Sequence, residues 1–78
     1  MSVAKNIEIS STSNTSFEDA IQKGIERATQ SVKNVRGAWI KEQNVKINNN
    51  SVSEYEVTMI LTFVLDGGDN VENRSNMQ

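Results

Sequence analysis

The order of hydrophobic patterns predicts an α+β chain built β-α-β-β. Three observations carry that expectation. A short alternating stretch lies near the N-terminus, an amphipathic stripe begins at Phe17, and two longer alternating stretches flank Asn48-Asn49-Asn50. Alternation with period two marks a half-buried strand, and apolar residues three and four apart mark a helix with one buried face.

Residues 3–10 read as the first strand, with Ile7 and Ile9 alternating against Asn6, Glu8 and Ser10. Residues 11–15 read as a polar link. Ser16-Phe17-Glu18-Asp19 is a helix start. The Ser16 hydroxyl can accept from the free N–H of Asp19, and the two acids sit at the positive end of the helix dipole. The stripe Phe17, Ala20, Ile21, Gly24, Ile25, Ala28, Val32 predicts a helix from Phe17 to Lys33. Gly24 lies on that stripe and costs up to about 1 kcal/mol of helix propensity against Ala, which points to a close approach of backbones.

Residues 35–47 read as the second strand. Ala38 and Ile40 have one parity, Val45 and Ile47 the other. A straight strand cannot bury both pairs on one side, so a β-bulge is expected between Lys41 and Asn44. Asn tolerates positive φ, so Asn48-Asn49-Asn50 supplies the turn of a hairpin. Residues 52–65 read as the third strand, with Tyr55, Val57, Met59, Leu61, Phe63 and Leu65 on one face. The domain is expected to span 1–66, with 67–78 as a loose C-terminal tail.

The chain has 78 residues, no Cys and no His, and a formal net charge of -2. A chain this short buries only about 60% of its unfolded surface. Without disulfides or a thiolate metal site, self-association is the expected remedy. The even residues of the third strand include Ile60 and Val64, and Trp39 has the parity opposite to Ala38 and Ile40. These three would form an apolar patch on the sheet face away from the helix, as a contact between copies requires. No basic patch suggests nucleic acid. Met59-Ile60-Leu61 is far too short to cross a membrane, and the first residues lack the apolar core of a signal peptide, so a cytoplasmic protein is expected. The sequons at Asn14 and Asn73 then read as chance. There is no Ser-centred nucleophile motif and no phosphate-cradling Gly loop, so no enzyme is expected.

The helix opening Ser13-Asn14-Thr15-Ser16-Phe17-Glu18-Asp19-Ala20-Ile21, then Ile25-Glu26-Arg27-Ala28 and Lys33-Asn34-Val35-Arg36, resembles the dodecins. So does the late strand Tyr55-Glu56-Val57-Thr58-Met59 with Phe63-Val64-Leu65. The resemblance runs over residues 3–66. It implies a three-stranded antiparallel sheet wrapped around one helix, assembling as a homododecamer of four trimers around a cavity. It implies a small-molecule ligand, a flavin (FMN, FAD or riboflavin), stacked in pairs between subunits and stored rather than used for redox work. In flavin-binding dodecins a Trp directly follows the segment matching Asn34-Val35-Arg36; here Gly37 stands there and the Trp comes two residues later, as Trp39. That is the same face of a strand, displaced by about 6–7 Å. A family Gln is matched by Glu56, which when ionised can only accept. Gly37-Ala38-Trp39-Ile40-Lys41-Glu42-Gln43 is closer to a branch without the usual Trp, which includes a calcium-binding dodecin.

The candidate flavin-contacting residues are therefore Trp39, Gly37, Glu56, Arg36 and Lys41. Trp39 can stack a planar ligand or anchor an interface. Glu56 can accept from a flavin imide or pair across the hairpin. Arg36 and Lys41 can meet a phosphate or simply be solvated or paired. For calcium or magnesium the candidate is Glu42, which matches an acidic position in a metal-binding member. Glu54, Glu56, Asp66 and Asp69 are the other nearby acids. Calcium takes six to eight oxygens, so symmetry-related copies would have to contribute.

Overall fold

The computed structural model describes residues 3–65. Four elements follow in order: β1 (Ala4–Ser13), α1 (Phe17–Thr29), β2 (Val35–Asn48) and β3 (Ser51–Val64). The strands form one antiparallel sheet in the order β1-β3-β2. The expected β-α-β-β chain with a three-stranded antiparallel sheet and one helix is what the structure contains. The expected tail, with Asp66 and Asp69, lies outside the described residues.

β3 is central because it carries the strictest alternation. Its residues Val57, Met59 and Leu61 are fully buried, as is Ala20 of α1. Ile7 and Ile9 of β1, Phe17, Ile21, Ile25 and Ala28 of the helix, and Val35 pack around that nucleus. The helix lies over β1 and β3. Gly24 is where it comes closest: a Cβ there would sit 2.6 Å from Met59 Cε and 2.9 Å from Ser11 Cβ. The helix accepts the propensity cost of Gly so that the backbone can reach the sheet.

The helix start is as expected. The Ser16 hydroxyl accepts from Asp19 N–H at 3.0 Å. The helix end is a correction: α1 stops at Thr29, not at Lys33. Ser31 and Val32 N–H both donate to the Ala28 carbonyl, and Asn34 then takes φ 64° to turn the chain into β2. The bond from Val32 to Ala28 keeps helical spacing for one more step, so the apolar stripe outlasts the helix. β1 is also longer than residues 3–10, since residues 11–13 pair with Val57, Glu56 and Tyr55. Those β1 residues are Ser and Thr, so no hydrophobic alternation marks them.

The hairpin turn places Asn49 at φ 54° and Asn50 at φ 66°. Two central residues at positive φ match the twist of the flanking strands. Register shifts occur between Val35 and Gly37, Ile40 and Glu42, and Lys46 and Ile47. The second leaves Lys41 as the extra residue, at the edge of the expected 41–44 interval. It resets the parity as the sequence requires: Ala38 lies opposite Leu61, Ile40 opposite Met59, and Val45 opposite Tyr55. All three therefore face the helix side. The helix does not extend over them, however. Ile40 is 39%, Val45 37% and Ile47 62% exposed.

Candidate functional site

The sheet face turned away from α1 reads as cross-strand rows. Asn6, Thr62 and Gly37 form one, and Glu8, Ile60 and Trp39 the next. Ser10, Thr58 and Glu42 follow, then Thr12, Glu56 and Asn44. Polar rows are stitched by side chains: Thr62 hydroxyl donates to Asn6 Oδ1 at 2.8 Å, and the Ser10 and Thr58 hydroxyls lie 3.3 Å apart.

Trp39 sits on this face, 51% exposed, directly across from Ile60. The sequence expectation for its side of the sheet therefore holds, and Ile60 and Val64 accompany it. Gly37 lies two residues before, opposite Thr62, and a Cβ built there meets nothing within 4 Å. Beside Trp39 there is thus open space rather than a second aromatic.

Lys41 and Glu42 follow Trp39 because of the bulge between Ile40 and Glu42. Lys41 Nζ reaches Glu8 Oε1 at 3.0 Å, spanning the central strand. The hydrogen bond and the charge of Glu8, with a smaller contribution from Glu42, raise the Lys41 pKa above its ordinary 10.5. Glu42 lies opposite Thr58. Glu56, four residues from Ile60 on the same face, is about 13 Å along the strand from the Trp39 row. It is half-buried and pairs with Lys46 at 3.5 Å. Of the two sequence readings for Glu56, the cross-hairpin pair is present. Its partner Lys46 and the Lys41 partner Glu8 were not singled out in the sequence. Glu8 has the parity of an outward strand residue, but only the order β1-β3-β2 places it within reach of Lys41.

Arg36 falls in the first register shift of β2. It lines a cleft of about 250 Å³ with Ile25, Thr29, Val35, Gly37, Ala38 and Leu61, between the helix end and the sheet. The structure thus brings Trp39, Gly37, Lys41 and Glu42 together on one face, sets Glu56 farther along it, and places Arg36 in a cleft that Gly37 also lines. Among the described residues, no three acidic side chains gather as a metal-holding group within one chain. No helix among them is long and apolar enough to cross a membrane.

The other polar cluster is the helix entrance. Buried Ser13 donates its hydroxyl to Asp19 Oδ2 at 2.6 Å and accepts from Thr15 N–H at 2.9 Å. Lys23 Nζ pairs with Asp19 at 3.1 Å. The Ser13 hydrogen bond first, and Lys23 second, lower the Asp19 pKa below its ordinary 3.8. These bonds all lie within the helix cap, which makes the cluster structural.

Comparison with known proteins agrees with this geometry. The dodecin family model matches residues 3–66. The calcium dodecin of Mycobacterium tuberculosis is 35% identical over 63 residues, covering 81% of this chain and 89% of that protein. A Thermus thermophilus dodecin variant superposes with a TM-score of 0.81 at 30% identity, covering 85% of this chain and 98% of its own. The crystal structure of the M. tuberculosis calcium dodecin, described as calcium-chelating, superposes at 0.71 with 31% identity, over 81% of this chain and 90% of its own. A match of the whole β-α-β-β unit in sequence and backbone places the chain in the dodecin family.

Proposed function

We propose that this chain is a subunit of a homododecamer, four trimers around a cavity, that sequesters a flavin between copies without catalysing a reaction. The observation that carries the reading is Trp39. A half-exposed indole beside Ile60, with free space over Gly37, is a platform for a planar ring. Stacking on an aromatic contributes about 1–3 kcal/mol per ring. Glu56 is an acceptor for a ring N–H, but about 13 Å along the strand from Trp39 it would serve a ring held by a neighbouring copy. The isoalloxazine would supply its own redox chemistry; the residues here only bind, orient and shield it. With neither His nor Cys in the chain, the usual proton-transfer side chains near neutral pH are missing.

Assembly is supported by what one copy leaves uncovered. Trp39, Ile40, Val45, Ile47 and Val52 are all 37% exposed or more. They lie on the hairpin of β2 and β3, an exposure that a small domain removes by self-association.

A second reading, storage of calcium or another divalent cation such as magnesium, has its own support in the M. tuberculosis calcium dodecin at 35% identity. One chain gathers no acidic triad among its described residues. Such a site would need Glu42 from several copies, because calcium takes six to eight oxygens.

Trp39 is the only tryptophan, so its fluorescence reports on the site alone. Riboflavin added at low micromolar concentration is expected to quench it. Absence of quenching at high micromolar riboflavin, with dissociation of the assembly by a chelator, would replace the flavin reading by the cation reading.

A further inference from the structure

Trp39 is bracketed by two bulges of β2, and each inserts a cation. The shift between Val35 and Gly37 leaves Arg36 as the extra residue, and the shift between Ile40 and Glu42 leaves Lys41. A bulge breaks the alternation of a strand and re-aims a side chain, which is why bulges recur beside binding sites. The two cations differ in what holds them. Lys41 Nζ is tied to Glu8 Oε1 at 3.0 Å. The other ion pairs among the described residues are Lys23 with Asp19 and Lys46 with Glu56, and Arg36 enters none of them. Between Arg36 and Trp39 stand Gly37, which has no side chain, and Ala38, which faces the helix side opposite Leu61. A Cβ built at Gly37 meets nothing within 4 Å. The row of Gly37 continues across the sheet as Thr62 and Asn6, uncharged groups joined at 2.8 Å. Apolar, neutral polar and cationic surfaces therefore follow one another. The Trp39 and Ile60 row comes first, the Gly37 row lies about 6–7 Å along the strand, and the Arg36 guanidinium stands beyond it.

We infer that Arg36 is the anion anchor of the Trp39 site, and that the ligand it favours is a phosphorylated flavin such as FMN. This rests on the flavin reading above. The ring lies on Trp39, the ribityl hydroxyls pass over the Gly37 row, and the phosphate meets Arg36. Each part of the ligand finds the chemistry it needs. A π face stacks on the indole. The Thr62 hydroxyl donates to Asn6 Oδ1, which leaves a lone pair on the Thr62 oxygen and the Asn6 amide N–H groups to engage a polyol. The guanidinium is always charged, and its planar fork matches two phosphate oxygens at once. Lys41 is the poorer anchor, because a phosphate could take it only by displacing Glu8 and trading one ion pair for another. The absence of a side chain at Gly37 is what leaves the route from Trp39 to Arg36 open.

The test is a set of titrations of Trp39 fluorescence on the assembled protein with riboflavin and with FMN, in the wild type and in Arg36→Gln and Arg36→Lys of wild-type mass by light scattering. A substitution removes Arg36 from every copy at once, so the readout holds whichever copy's ring the guanidinium serves. In the wild type FMN is expected to bind about tenfold more tightly than riboflavin at low salt. The gap is expected to shrink at about 1 M NaCl, where the Debye length falls to about 3 Å. Arg36→Gln should close the gap and leave riboflavin binding unchanged, and Arg36→Lys should keep part of it. FMN binding no more tightly than riboflavin in the wild type, or a gap that survives Arg36→Gln, would overturn the anchor while leaving a flavin site. Equal weakening of both ligands by Arg36→Gln would overturn it too, since a residue that only shapes the site does not distinguish them. Quenching by neither ligand would remove the flavin reading itself.

Discussion

A methyl group at position 24 would lie 2.6 Å from Met59 Cε and 2.9 Å from Ser11 Cβ. The Met59 tip can swing aside, but Ser11 Cβ is fixed to a strand and cannot. Gly24→Ala therefore gains up to about 1 kcal/mol of helix propensity and loses about 1–3 kcal/mol to overpacking. Net destabilisation is expected in urea unfolding; a more stable variant would show that the helix has room to lift. Met59 is fully buried at the same contact, so Met59→Ala is expected to cost about 2–5 kcal/mol. Gly37 has the opposite character, with nothing within 4 Å of its Cβ position. Gly37→Ala is expected to leave unfolding of the chain nearly unchanged. At this scale the sequence was informative where chemistry is local. Gly24 on an apolar stripe announced a close approach, and Asn49 and Asn50 announced positive φ. It was silent where the partner is distant: nothing in the spacing of Glu8 and Lys41 foretells a bond across the central strand.

At the scale of elements, the entrance to α1 is the most engineered part of the chain. Ser16 caps Asp19 N–H, while Ser13 receives Thr15 N–H and holds the Asp19 carboxylate. Ser16→Ala is expected to cost about 1 kcal/mol. Ser13→Ala is expected to cost at least as much, since it strips a buried acceptor from the loop and a donor from Asp19. The Asp19 pKa is lowered in the fold. Its stabilisation is thus fully present above the ordinary carboxylate value of 3.8 and is lost as pH falls through the lowered one. Ser13→Ala should move the acid-unfolding midpoint of the wild-type assembly upward; an unmoved midpoint would mean that Lys23 alone holds the charge. Lys41 behaves in the reverse sense. Its pKa is raised, so its contribution is present below 10.5 and fades as pH climbs through the raised value. Element identity and order were legible because each long segment keeps one period throughout. The ends were not, because they rest on contacts rather than composition. The last residues of β1 are polar yet paired, and Val32 keeps helical spacing after α1 has stopped.

At the scale of the whole molecule, one copy is too spread out to be self-sufficient. Its radius of gyration is 16.6 Å and its extents are 60 × 19 × 13 Å, whereas a compact chain of this length has a radius of about 11 Å. The long hairpin projects beyond the helix, and its apolar residues find no cover among the described residues. The sequence disclosed the patch of Trp39, Ile60 and Val64 through parity alone. It did not disclose that Ile40, Val45 and Ile47 would also be uncovered, because which strands lie under the helix depends on the sheet order. Ile60→Glu places a charge in the middle of the Trp39 row and is expected to break the assembly into smaller species or precipitate it. An intact shell by light scattering would show that this face is not a contact.

The central claim joins assembly and ligand, and one measurement addresses both. Size-exclusion chromatography with multi-angle scattering gives the mass, while absorbance in the blue follows an added oxidised flavin through the same peak. The account predicts a mass of twelve times the 8.7 kDa of one chain, with flavin co-eluting. A monomeric mass, or a twelve-chain peak that carries no flavin at saturating riboflavin, would contradict it.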